Sequence, residues 1–319
     1  MNSPAFGPTP VINTMDTPFP TGVLSDYTEA PTLADVLPPV RERGRFGTFF
    51  RRYPTVVIGG TLLGIMVFIA IFAPWLFTVD PTALAPAKRT RPPSALYWFG
   101  TDMLGRDVYS RVLYGSRVSL IVGFSVAVIA SAIGAFIGLV AGFVRPLDTI
   151  IMRVMDGLMS IPPILLAIAL MALTRGSVGN VIVAISIAQI APVSRLVRGL
   201  VLSLREQPYV EAAIASGTRV PTIIWKHILP NTFAPLMVQA TFICASAMIT
   251  ESILSFIGAG TPPIIPSWGN IMAEGRALWQ VKPYIVFFPA AFLSVTVLAV
   301  NLMGDGLRDA LDPRLAKRL

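Results

Sequence analysis

The chain has 319 residues and a formal net charge of +8, with 54% hydrophobic and only 13% charged residues; its mean hydropathy is +0.70. A soluble domain carries roughly 25% charged residues, so this composition excludes an ordinary soluble domain and indicates a polytopic membrane protein. The basic residues flank apolar runs, as the positive-inside rule expects, and form no single block suited to nucleic acid.

Residues 1–53 are expected to be a cytoplasmic, largely disordered tail, rich in Pro and Thr and without helical or strand period. Arg41, Arg43, Arg45, Arg51 and Arg52 stand against the first apolar run and should hold this end in the cytoplasm. No removable signal peptide is evident, because the first apolar run comes after this long polar tail. That run supplies the first membrane helix, within 54–78. An extracytoplasmic loop is expected at 79–116, then a core at 117–307 and a cytoplasmic end at 308–319. Six spans are predicted near 55–77, 117–143, 153–173, 179–198, 232–257 and 284–304. Each has about the 20 apolar residues needed to cross a bilayer. Pro162, Pro163 and Pro192 interrupt the third and fourth. This topology puts most of the 25 basic residues, and both termini, on the cytoplasmic side.

Several residues invite a functional or a structural reading. Gly134, Gly138 and Gly142 recur at four-residue spacing in the second span, where small residues let helices approach closely. The helix they admit belongs either to this chain or to a second membrane subunit. Glu251 lies in the fifth apolar run, and an ionisable group there either lines the pathway or is buried against protein. Gln189 and Asn301 pose the same question. Arg153 and Asp156 are spaced for a pair on one helix face. Cys244 and His227 are the only Cys and His, so no intrachain disulfide and no Cys/His metal cluster is available. None of the four lysines stands in a G-x-x-x-x-G-K-[ST] pattern, and no nucleophile–base set is visible. The chain therefore reads as a non-enzyme, with no cofactor of its own.

Between the fourth and fifth spans, residues 206–231 form a polar interruption. Pro208 suits the first turn of a short helix over Tyr209–Ser216, which Gly217 would end in a left-handed conformation. Ala212, Ala213 and Ala215 keep that helix slim. Pro221 is placed to start a second short amphipathic helix, and Pro230 to stop it.

Glu211-Ala212-Ala213, then Gly217, then Leu229-Pro230-Asn231 resemble the EAA loop of ABC importer permeases. Further blocks point the same way. Phe99-Gly100-Thr101-Asp102, Gly105-Arg106-Asp107, Ser110-Arg111 and Gly115-Ser116-Arg117 resemble the FGTD-x-x-GRD-x-x-SR segment of the C-type permease of dipeptide, oligopeptide and nickel importers. Leu254-Ser255-Phe256-Ile257-Gly258, Pro266-Ser267-Trp268-Gly269 and the ending Asn301 to Asp309 with Asp312-Pro313 resemble other blocks of that group.

The resemblance implies an all-α integral membrane protein of six transmembrane helices with the type I ABC importer fold, in the bacterial plasma (inner) membrane. It implies a second homologous permease, two cytoplasmic ABC ATPases that use ATP and Mg, and an extracytoplasmic substrate-binding protein. Glu211, Ala212, Ala213, Gly217, Pro230 and Asn231 would couple to the ATPase. Peptides are the expected substrate, with nickel, glutathione or opine-like solutes as alternatives in the group. A secondary transporter or channel would instead be expected to show an inverted repeat or paired intramembrane charges, and neither is seen. In the outer segment, Asp102, Arg106 and Asp107 are expected either to pair locally in a solvated turn or to help receive substrate. At the other end, Gly304, Asp305, Arg308, Asp309 and Asp312 form a motif whose charges sit at helical spacings. They would pair with one another, with the ATPase or with the EAA loop.

Overall fold

The computed structural model describes residues 53–311, and every element assigned in it is helical. The predicted tail up to Arg52, with its arginine cluster, and Asp312 in the C-terminal motif lie outside the described residues.

α1 spans Pro54–Phe72 and begins, as its proline favours, in the first turn. α2 runs over Val108–Phe143. α3 (Arg145–Met159) and α4 (Pro163–Ala172) meet at an 86° bend. α5 is Val178–Arg205, and the short α6 is Pro208–Ala215. A turn of helix at Val220–Ile223 (α7) and a π-helical turn at Ile224–Ile228 lead directly into α8, Leu229–Phe256. α9 is Trp268–Gly275 and α10 is Tyr284–Leu311. Five helical stretches are long and apolar enough to cross a membrane, or six with the bent α3–α4 pair taken as one span.

Three elements depart from expectation. α2 starts at Val108, well before Arg117, because Asp107 caps it by accepting the backbone N–H of Ser110 at 2.8 Å. Its 36 residues make a rod of about 54 Å, longer than the roughly 30 Å hydrocarbon layer, so its polar first turns continue the polar loop that precedes it. The predicted third span is broken at Ser160–Pro162, since a proline pair cannot continue a straight helix. Pro230 does not stop the loop's second helix. It sits in the first turn of α8, where its missing N–H costs nothing.

The core lies between α2, α5 and α8, where Val122, Val126, Ile185, Val193, Ile243 and Met248 are buried. Cys244 is a small buried residue in this layer. The glycine stripe faces α5 of the same chain. A methyl on Gly134, Gly138 or Gly142 would come within 2.6–2.7 Å of Val193, the Ser194 carbonyl or Val201. Without a hydrophobic drive inside lipid, such close backbone approach is what holds helices together. α10 is seated likewise. A Cβ on Gly304 would overlap Thr241 of α8, and one on Gly306 would strike Val56 of α1 at 2.5 Å.

Candidate functional site

The loop between α5 and α8 leaves a helix standing out from the bundle. In α6, only Val210 is buried; Glu211, Ala212, Ile214 and Ala215 are exposed, and Ala213 is half-buried. Gly217 has φ of +75°. The Gly217 N–H donates to Ile214 O at 2.9 Å and the Thr218 N–H to Ala213 O at 3.0 Å. This is the Schellman arrangement, which satisfies the last carbonyls of the helix and demands a left-handed residue. A methyl at Gly217 would meet nothing within 4 Å. The conformation, and not crowding within the chain, is therefore what calls for glycine.

The helix is tied lightly to the start of α8. Asn231 Nδ2 donates to His227 O at 2.6 Å and reaches the Tyr209 hydroxyl at 3.4 Å. The Tyr209 and His227 rings lie 6.2 Å apart. Pro230 and Asn231 border a cleft of about 710 Å³ whose other wall includes Arg308 and Leu311 of α10. Among the described residues, the C-terminal charges do not pair with one another. Asp305, Arg308 and Asp309 carry no ion pair among the described residues, and all three are exposed. Beside α6, Glu211, Glu206, Asp148, Arg145 and Arg205 line a polar cleft of about 300 Å³.

The bent pair is also pinned by charge. Asp148 accepts from Arg198 Nε at 2.5 Å and from Arg198 Nη2 at 2.7 Å. Asp156 pairs with Arg195, not with Arg153 as helical spacing predicted. The long arginines of α5 reach across to α3, and spacing along one helix cannot register such a neighbour.

At the opposite end of α2 the motif residues form a buried network. Asp102 accepts Arg106 Nε at 2.7 Å and Arg111 Nη1 at 2.6 Å, and both arginines also pair with Glu274 of α9. Asp102, Arg106 and Arg111 are all buried, so the expected solvated turn is instead an interior ion cluster. Asp102 further accepts the backbone N–H of Leu104 and of Arg106. Thr101 Oγ1 donates to Lys88 O and accepts from Arg91 N–H. Gly100 and Gly105 both have φ of +77°, and a methyl on Gly105 would overlap the Ala85 carbonyl.

Glu251 is fully buried. Its carboxylate accepts from Ser255 Oγ at 2.8 Å and from Ser119 Oγ at 3.3 Å, which joins α8 to α2. Ser255 in turn bonds Thr261, and Asn270 Nδ2 donates to Thr261 Oγ1 at 2.9 Å, extending the hydroxyl network to α9. Gln189 is half-buried and stands 3.5 Å from Ser246 Oγ; Asn301 is half-buried. Among the described residues, no group of three or more His, Cys, Asp or Glu is placed to hold a metal.

Residues 117–317 match the model of the binding-protein-dependent transport system inner membrane component, and residues 45–93 match the N-terminal transmembrane domain of oligopeptide transport permease C. The chain belongs to this family of transport permeases. The permease is 54% identical over 268 residues to a probable peptide ABC transporter permease of Sinorhizobium fredii, covering 84% of this chain and 92% of that one. It is 41% identical over 260 residues to the dipeptide transport system permease protein of Alkalihalophilus pseudofirmus, covering 81% and 86%. Its fold is similar to that of the MetNI methionine ABC transporter in an inward-facing conformation, with a TM-score of 0.51 at 19% identity, over 63% of this chain and 96% of that one. The permease thus has the type I importer architecture and is an integral membrane transport component, not an enzyme.

Sequence reasoning missed Glu274, Tyr209 and His227 as partners within these two regions. Glu274 lies 163 residues from Arg111, so no local pattern links them. The one available signal was Glu274 as a lone acid beside the Pro-Ser-Trp-Gly block.

Proposed function

We propose that this permease forms half of the translocation pore of an ATP-driven importer for di- and oligopeptides and works by alternating access. The other half is a second, homologous permease. Two cytoplasmic ABC ATPases hydrolyse ATP with Mg, and an extracytoplasmic binding protein delivers the peptide. Both termini and the α5–α8 loop face the cytoplasm, in keeping with the basic residues that flank these segments.

The observation that carries the reading is α6. It is a capped, exposed helix with small residues on its surface and a single buried anchor, Val210. Ala212 and Ala215 let another protein approach the helix backbone, and Glu211 supplies a charge at its first turn. Movement of the ATPases would push α6. Because the chain runs from α6 through α7 and the π-turn into α8, displacement of α6 is passed to a spanning helix. The peptide-transport names of the related permeases support the substrate class.

Reconstitution of the full transporter in proteoliposomes tests this. Glu211→Lys is expected to lower ATP-driven uptake of a labelled dipeptide about tenfold or more, within the usual size of a coupling between sites. Membrane insertion should be unchanged, since the exposed Glu211 side chain makes no ion pair among the described residues. Wild-type uptake by this variant would rule out α6 as the coupling element.

A further inference from the structure

We infer that the groove between α1 and α2 is a binding site for one anionic phospholipid. Val67, Ala70 and Ile71 of α1 and Leu120, Ile121 and Phe124 of α2 line an apolar groove of about 550 Å³. Arg117 is also part of its lining, at the end where α1 terminates.

Three observations select the ligand. The groove is bounded by two membrane-spanning helices, and Ile71, Ile121 and Phe124 in it are exposed. Its occupant is therefore apolar along most of its length. The end of α1 also marks an interface. Trp75 and Phe77, just beyond it, are 71% and 85% exposed, as aromatic residues are at headgroup level.

Arg117 is the third observation, and it differs from its neighbours. Arg106 and Arg111 are neutralised by Asp102 and Glu274. Arg117 has no carboxylate partner among the described residues. Its Nε donates to Ala70 O at 2.5 Å and its Nη2 to Ile71 O at 2.9 Å, so two carbonyls at the end of α1 hold the guanidinium over the groove. The Tyr114 ring, 5.1 Å away, steadies its other side. Nη1 has no acceptor among the described residues, and the positive charge is uncompensated there. A charge at this depth calls for a counter-charge or water. A lipid phosphate meets it with charge-assisted hydrogen bonds, while an acyl chain of the same molecule fills the apolar groove. A lipid carries both chemistries in the right order along the membrane normal.

Native mass spectrometry of the full-length permease, released from bilayers of equal phosphatidylglycerol and phosphatidylcholine, tests this. The unaltered protein is expected to retain one phosphatidylglycerol in preference to phosphatidylcholine. Arg117→Gln should reduce that preference about fivefold, the effect of one basic residue near a phosphate surface. Ser125→Phe, which fills the groove from α2 and leaves Arg117 in place, should reduce total retained lipid. It also keeps the test valid should Arg117→Gln disturb the end of α1. Equal retention of both lipids by the unaltered protein, or unchanged retention in Ser125→Phe, would overturn the proposal. So would a disulfide from Ile121→Cys to a cysteine on a second permease subunit in the assembled transporter, because a protein helix would then occupy the groove.

Discussion

The loop at the start of α2 and the loop before α8 are both polar connections that carry charge and left-handed glycine, yet they are built in opposite ways. The first turns its charges inward. Asp102, Arg106 and Arg111 are buried and paired with one another and with Glu274, with Arg111 Nε left without a hydrogen-bond partner among the described residues, and its left-handed glycines are wedged against other chain segments. The second turns its residues outward. α6 holds on by Val210, and Gly217 has open space around it. Charge buried against opposite charge builds a cap from within the chain. Charge left exposed beside small residues leaves a surface for another protein. The contrast separates a loop whose charges are paired within the chain from one whose short helix stays exposed.

The largest expected effect falls on the cap. Arg111→Ala leaves Asp102 and Glu274 with one cation fewer in a site where Arg111 is 1% exposed. Breaking such a buried cluster costs roughly 3–5 kcal/mol. Thermal unfolding of the detergent-solubilised protein should show a large loss, and a midpoint equal to wild type would mean the cluster is hydrated.

Two left-handed glycines, one from each loop, sharpen the comparison. Gly105→Ala must displace the Ala85 carbonyl as well as hold an unfavourable φ, for about 3 kcal/mol in all. Gly217→Ala faces only the conformational term, about 1 kcal/mol. Stability curves measured side by side should separate the pair, and equal losses would contradict the difference in packing.

Smallest is Asp148→Asn. Asp148 and Arg198 are partly exposed, with side chains 22% and 31% accessible, and an ion pair of this kind is worth under about 1 kcal/mol. The expected change in unfolding midpoint is small beside that of Arg111→Ala. A large shift would place the α3–α5 contact with the buried cap and not with the exposed α6 end.

Local features were readable where the physics is local. Pro208, Gly217 and the alanines between them define α6 because capping and backbone conformation act over a few residues. The spans follow from apolar length alone. The same local logic failed for Pro230, which tolerates a helix start as readily as a stop, and for Asp156, whose partner Arg195 lies on another helix.

The sequence by itself thus determined that the chain is a helical membrane protein with a short capped helix in one polar loop. Length, hydropathy and turn chemistry are properties of adjacent residues. Only the tertiary structure decided which helix the glycine stripe meets, that the charged motif before and at the start of α2 is interior, that Glu251 is enclosed by serines of α2 and α8, and that Arg117 is held by backbone carbonyls and not by a carboxylate. Each of these depends on residues brought together across tens to more than a hundred positions, as Glu274 is to Arg111 across 163. In a membrane, close packing and buried pairing decide the fold; the glycine spacing marks a packing face on the chain but not the helix that meets it.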